Sequence, residues 1–370
     1  MMKVIGFPGR YAQGPGALKQ LGSVLSDMER SRPLVLCDAF VAEHVWPDVA
    51  LSLQASGLEA THIMFPGECT RATIAQLSSQ AKPLLPDTIV ALGGGKTIDT
   101  AKGLAADLGL PIVICPTIAS SDAPTSRLIV LYDDNHKVVG VDYLKMNPSA
   151  VIVDTRIIAQ APARLFAAGI GDAISKKFEA RQCRAAGGTN SFGTPALHTA
   201  LMLTDMVFDT LMRYGIPAYQ AVCRNQVTDD VERVVEGTVL ISGVGFESGG
   251  LSLSHALVRG LTSIQTMAAM LHGELVAFGT LVQMAVELRT TEEIRSVARL
   301  LQAVKLPITL AELGQRLPLT ATEVDRLVEA TLSAAYARNM QPALTRERLM
   351  TGLVMADHVG AGLAATQPAA

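Results

Sequence analysis

The chain lacks a charge excess of either sign: 31 lysines and arginines stand against 34 aspartates and glutamates, a formal net charge of −3 over 370 residues. Nothing in that balance attracts a nucleic acid or an anionic membrane surface, so the expected partner is a small molecule. A long hydrophobic run is also missing. The most apolar stretch, Leu108 to Ala119, is interrupted by Pro111 and Pro116 and is too short to span a bilayer. The first residues, Met1 to Pro8, have neither the apolar core nor the small-residue cleavage site of a signal peptide, so the mature chain is expected to begin here. Cysteine is scarce: five residues, at 37, 69, 115, 183 and 223, widely spaced and never in a Cys-x-x-Cys pair. That usage fits a reducing, cytoplasmic location, with Cys37 and Cys115 serving as small hydrophobes in apolar runs. No internal repeat, charge tract or low-complexity linker is visible. What the chain does have is apolar mass. At 49% hydrophobic it can bury a large core, and its length favours two domains.

The first 160 or so residues alternate short β-rich runs (Leu34 to Cys37, Thr61 to Phe65, Thr88 to Leu92, Pro111 to Cys115) with helical stretches near 17–29, 40–55, 70–83 and 97–108. Such alternation implies a parallel sheet with helices on both faces. Leu128 to Tyr132 and Lys137 to Val141, around Asp133-Asp134-Asn135, read as a hairpin, and Val151 to Val153 returns to the sheet. From about Pro162 onward the patterns are helical. Thr290-x-x-Glu293 and Thr320-x-x-Glu323 have the form of capping boxes ahead of apolar-periodic segments. The expected division is an α/β domain over 1–161 and an all-α domain over 162–370, packed around a cleft.

Thr88 to Leu92 runs into Gly93, Gly94, Gly95 and Lys96 and then into a helix start, a strand–loop–helix passage suited to phosphate. Glycine lets backbone N–H groups approach an anion, and the first N–H groups of a helix lack partners within it. Gly94, Gly95, Lys96 and Asp99 of this passage are candidate cofactor contacts. Glycine in strand-to-helix turns also serves geometry alone, and the spacing departs from Gly-x-Gly-x-x-Gly with a later acidic residue. Here the acidic candidate comes earlier: Asp38, at the carboxyl end of the Pro33 to Cys37 run, is placed to accept ribose hydroxyls and repel a 2′-phosphate. NAD is then favoured over NADP.

Asp172, His255 and His272 each stand amid small or apolar residues, and one carboxylate with two imidazoles suits Zn²⁺ with a fourth position open for a substrate hydroxyl. Spacing alone does not separate this from hydrogen-bonded histidines and a carboxylate at a helix N-terminus. His44, His62, His136, His198 and His358 are read as hydrogen-bonded core residues.

Several segments together resemble the glycerol dehydrogenases, zinc-dependent members of the superfamily that also holds iron-containing alcohol dehydrogenases and dehydroquinate synthases. They are Gly93 to Lys102, Pro116 to Pro124, Ala161 to Leu165, Gly169 to Asp172, Gly243 to Gly250 and His272 to Gly279, in the family's order and spread over nearly the whole chain. The resemblance implies a Rossmann-like N-terminal domain and a helical C-terminal domain in the dehydroquinate synthase-like arrangement. It implies Asp172, His255 and His272 as zinc ligands, Asp122 as a polyol contact, and Asp38, Gly95, Lys96, Thr117, Ser120, Ser126, Leu128 and Tyr132 as NAD contacts. The implied reaction is hydride transfer from a polyol secondary hydroxyl to NAD, glycerol giving dihydroxyacetone, in a homo-oligomer expected to be an octamer. Other diols, hydroxy acids or anionic alcohols are the alternative substrates, and a nucleotide-binding protein without turnover is the alternative class.

Iron-containing relatives carry a histidine four residues after the metal-binding aspartate, where this chain has Lys176, which favours zinc. Lys176, Lys177 and Arg127 depart from the uncharged residues expected of glycerol dehydrogenases, and Met267 to Leu271 is more apolar than the expected segment. Lys176, one turn beyond Asp172, either faces the metal or turns outward. Lys177 is expected on the outer face.

Overall fold

The computed structural model describes residues 2–134 and 136–364. The chain divides into two compact units. One comprises Gly6–Pro162 with Asn225–Gly243; the other comprises the N-terminal residues through Ile5, Ala163–Arg224 and the chain from Val244 onward.

The first unit is built on β1 (Tyr11–Gly14), α1 (Leu21–Asp27), β2 (Pro33–Cys37), α2 (Ala39–His44), α3 (Trp46–Ala55), β3 (Thr61–Met64), α4 (Arg71–Ala81), β4 (Thr88–Gly93), α5 (Gly95–Leu108), β5 (Ile112–Pro116), β6 (Leu128–Tyr132), β7 (Val138–Tyr143), β8 (Ala150–Asp154) and α6 (Thr155–Gln160). Six strands form one parallel sheet in the order β1-β8-β5-β4-β2-β3, and β6 pairs antiparallel with β7 as a separate hairpin. The inner strands β2, β4, β5 and β8 are buried at every residue, as parallel strands covered on both faces must be. Val35, Val90 and Val113 of one face pack with Leu21 and Leu25 of α1 and Val49 and Leu53 of α3. Strand alternation sends Leu34, Ile89 and Ile114 to the other face, which α5 covers. Helices on both faces confirm the expected α/β class.

Two details differ from expectation. β1 was not anticipated; it is a four-residue edge strand that is only half-buried, so it carries no apolar run. The helix expected over 40–55 is broken at Val45 (φ −120°), just before α3, whose first turn holds Pro47. Pro47 has no N–H to donate and suits a first turn.

The second unit contains α7 (Ala163–Ala173), α8 (Lys176–Ala185) and α9 (His198–Val222); α10 (Asp229–Val235) belongs to the first unit, and α11 (Ser242–Gly249) carries the chain back. Then follow α12 (Leu253–Thr262), α13 (His272–Val286), α14 (Thr291–Ala303), α15 (Ala321–Leu332) and α16 (Arg346–Ala364). No strand occurs after Asp154 among the described residues. Helix α13 is buried from Gly273 to Val286 and packs against α7, α12 and α16, so it is enclosed on all sides and central. Both expected capping boxes form: Thr290 and Thr320 accept from the N–H groups of Glu293 and Glu323, whose carboxylates return the contact to the threonine N–H groups.

Candidate metal centre and dinucleotide site

In the helical unit, glycine decides where the metal-binding candidates meet. A Cβ on Gly171 would collide with the carbonyl oxygen of Gly273, and one on Gly273 with that of Ala168, so α7 and α13 touch backbone to backbone. A Cβ on Gly279 would lie 2.7 Å from the Ser254 carbonyl oxygen, which brings α12 equally close. Those approaches set Asp172 on α7 beside His272 at the first turn of α13 and His255 on α12. Arg164 of α7 grips Glu274 in a two-pronged ion pair (2.6 and 2.9 Å), and Glu274 Oε2 accepts the Leu271 N–H at 2.9 Å, fixing the start of α13.

Asp172, His255 and His272 each contribute a ligand atom, all within 4.8 Å of one another. Asp172 Oδ1 lies 3.3 Å from His255 Nε2 and 3.9 Å from His272 Nε2. Donors about 2.1 Å from a tetrahedral ion stand about 3.4 Å apart, so these separations fit a small divalent cation. Glu179, fully buried on α8, accepts from His255 Nδ1 at 2.6 Å and from the backbone N–H groups of Ser252 and His255. It turns Nε2 toward Asp172, the role a carboxylate commonly plays behind a metal-binding imidazole. Sequence reading left Glu179 without a role. Its signal was an acidic residue in an i, i+4, i+7 relation with Asp172 and Lys176.

Lys176 resolves toward the interior. Its Nζ lies 2.6 Å from Asp172 Oδ1 and 3.3 Å from His255 Nε2, with the side chain 1% exposed. Burial works to raise the Asp172 carboxyl, but the Lys176 charge and then the two imidazoles outweigh it and hold the group well below the carboxylate range. Burial likewise works to lower His255, yet Glu179 first and Asp172 after it raise it to about 9. His272 is pushed down by desolvation and by the positive charge of His255 and Lys176, against the pull of Asp172. Half of its side-chain surface still reaches solvent. Lys177 extends elsewhere, 4.0 Å over the Phe208 ring and 3.9 Å from Asp209. Contrary to the core placement expected of them, His44, His62, His136, His198 and His358 are exposed. They occupy surface positions, where a histidine needs no buried partner.

In the sheet unit, β2 and β4 are neighbours, and the helices that follow them lie on opposite faces. This is the switch in winding where open parallel sheets bind ligands at the carboxyl ends of their strands. Asp38 ends β2 and caps α2, its Oδ1 accepting the Val41 N–H at 2.9 Å. Gly94, at the end of β4, caps α5 without a side-chain acceptor. A Cβ on Gly95 would meet only Ser121 Oγ, at 3.9 Å, so protein packing does not require glycine there. An open cradle in front of a helix N-terminus fits a phosphate.

Lys96 reaches over the Tyr132 ring (4.9 Å) and pairs with Glu68 at 2.6 Å. Glu68 also contacts His136, and although burial opposes it, His136 and Lys96 keep its carboxyl below the usual range. Thr117 donates its N–H to the Gly93 carbonyl at 3.1 Å; Ser126 is buried, Ser120 and Leu128 half-buried. Asp99 is turned inward. Its oxygens take the Val130 N–H (3.1 Å) and face Lys102 (3.4 Å). Asp122 accepts from Ser242 Oγ at 2.9 Å, and Gly243 leaves the room that Thr125 Oγ1 and the Asp122 carbonyl occupy. Arg127 lies 5.6 Å over the Tyr143 ring.

Residues 8–155 match the family described as "Iron-containing alcohol dehydrogenase". The chain is 42% identical to a glycerol dehydrogenase of Escherichia coli O6:H1 over 97% of its own length and 98% of that protein. It is 41% identical to a Pseudomonas putida glycerol dehydrogenase over the same shares. The crystal structure of glycerol dehydrogenase from Schizosaccharomyces pombe superposes with a TM-score of 0.93 at 31% identity, covering 99% of this chain and 94% of that one. Full-length similarity at this level joins the sheet unit and the helical unit with its acid–imidazole cluster in one ancestry, and the chain belongs to the glycerol dehydrogenase family.

Proposed function

We propose that the protein oxidises a secondary hydroxyl of a vicinal polyol, glycerol to dihydroxyacetone foremost, with NAD as hydride acceptor and Zn²⁺ held by Asp172, His255 and His272. The observation that carries this is the convergence of one carboxylate and two imidazoles, with Glu179 behind His255, in a member of this family. When bound, zinc supplies Lewis acidity that eases loss of a substrate hydroxyl proton, and NAD supplies the carbon that takes the hydride. The chain's own residues orient and select. Asp122, steadied by Ser242, accepts a hydrogen bond from a second substrate hydroxyl. Asp38 accepts from the adenosine ribose and disfavours a 2′-phosphate, while Gly94, Gly95 and the first turn of α5 receive the pyrophosphate. Lys96, Asp99, Thr117, Ser120, Ser126, Leu128 and Tyr132 complete the proposed cofactor set, Asp99 by holding the β6 backbone through Val130.

No helix among the described residues is long and apolar enough to cross a membrane. The five cysteines are all unbridged, which supports a cytoplasmic setting. A homo-oligomer, an octamer by family resemblance, completes the proposal and is read by light scattering.

The test is NADH formation with a panel of diols, hydroxy acids and sugar phosphates, before and after chelation and zinc restoration. Chelator-sensitive turnover of glycerol is expected. Turnover of hydroxy acids alone would move the substrate to an anionic alcohol, and NAD binding without turnover of any alcohol would leave a passive binder.

A further inference from the structure

One cation already lies among the proposed metal ligands. The Lys176 ammonium stands 2.6 Å from the Asp172 oxygen and 3.3 Å from the His255 nitrogen that would coordinate, and both Lys176 and Asp172 are 1% exposed. Asp172 Oδ1 is also the oxygen that faces His272 Nε2 at 3.9 Å. A divalent ion about 2.1 Å from that oxygen and from His255 Nε2 would stand within about 4 Å of Nζ. Two positive centres that close repel strongly even when the protein screens well.

We propose that Lys176 is a built-in competitor for the metal: its ammonium neutralises Asp172 until a divalent cation displaces it, so that this site binds metal weakly and exchanges it readily. The proposal rests on the zinc reading above and adds to it the residue that sets affinity. Burial argues against the other use of a lysine here, recognition of a substrate carboxylate, because the ammonium is directed at the protein's own ligand atoms. Position favours competition over mere packing. Lys176 begins α8 one turn beyond Asp172, so the ammonium and the carboxylate it faces belong to different helices, and the Phe246 ring lies 5.6 Å from Nζ.

The experiment measures Zn²⁺ affinity of the full chain, without substrate or nucleotide, by competition with a chromogenic chelator. Lys176→Met and Lys176→Thr are expected to bind zinc on the order of a hundredfold more tightly than the unaltered protein, and Lys176→Arg to stay within a few-fold of it. Thermal unfolding with and without zinc gives a second reading: the zinc-induced rise in Tm should grow in the Met and Thr variants. His272→Ala in the Lys176→Met background should abolish the gain, which locates it at the triad. Equal affinity in all four proteins, with zinc bound tightly, would overturn the competition and leave the metal reading standing. Zinc binding by none of them would overturn both.

Discussion

Two buried lysine–aspartate pairs, one in each unit, look alike on paper and do different work. In the sheet unit Lys102 faces Asp99 at 3.4 Å, and its Nζ also donates to the carbonyl oxygens of Ala123 and Leu128, both at 2.7 Å. Asp99 in turn holds the Val130 N–H. The pair is a clamp that fastens β6 to α5 through main-chain atoms. In the helical unit Lys176 faces Asp172 more closely, at 2.6 Å, and its Nζ also lies 3.3 Å from the side-chain nitrogen of His255. A buried charge met by backbone carbonyls belongs to architecture. A buried charge met by atoms that would bind a metal belongs to chemistry.

Substitution separates the two. Asp172→Asn should have the largest effect, removing a ligand and cutting turnover by roughly a thousandfold or more, several kcal/mol of lost activation, with zinc content falling in parallel. Full activity with bound zinc would remove Asp172 from the centre. Lys102→Met should leave zinc affinity alone but lower stability by about 3–5 kcal/mol, because it strands Asp99 without its buried counter-charge. Denaturant unfolding measures this, and a loss under about 1 kcal/mol would end the description of the pair as a clamp.

The helical unit should also carry a pH signature between about pH 6.5 and 9. With His255 raised to about 9 in the folded, metal-free protein from an ordinary 6.5, its contribution is complete below pH 6.5 and disappears as pH rises through 9. Stability of the metal-free protein should therefore fall by roughly 1–3 kcal/mol across that window. A His255→Gln variant should show a flatter profile over the same range. An unchanged slope in that variant would assign the titration to another group. The smallest effect concerns a carboxylate outside either pair: Asp38→Ser should relax discrimination against NADP by about tenfold, near 1.4 kcal/mol, read as the ratio of kcat/KM for the two cofactors. An unaltered ratio would take Asp38 off the ribose.

Much of this was legible from the sequence, and the rest was hidden for identifiable reasons. Buried parallel strands announce themselves as apolar runs, so β2, β4, β5 and β8 were readable, whereas the short, half-buried β1 carried no such signal. The break at Val45 was legible only through Pro47. Spacing could not bring Asp172, His255 and His272 together, because their meeting depends on glycine contacts between α7, α12 and α13 that no periodicity records. The direction of Lys176 was equally hidden. A turn at Ile174 and Ser175 interrupts the helix between it and Asp172, so the side-chain direction follows from the join between α7 and α8. Asp99 invited a ligand-contact reading from its place behind the glycine loop, and only the folded chain reveals its hold on Lys102 and Val130.

The bare contact between Gly171 and Gly273 has a consequence for altering this protein. Two peptide backbones pressed together act as a fixed gauge, with no side chain between Gly171 and the Gly273 carbonyl to trim. Anyone wishing to retune which ion the proposed centre prefers would turn first to the donors or the lysine beside them, since the calipers themselves hardly adjust.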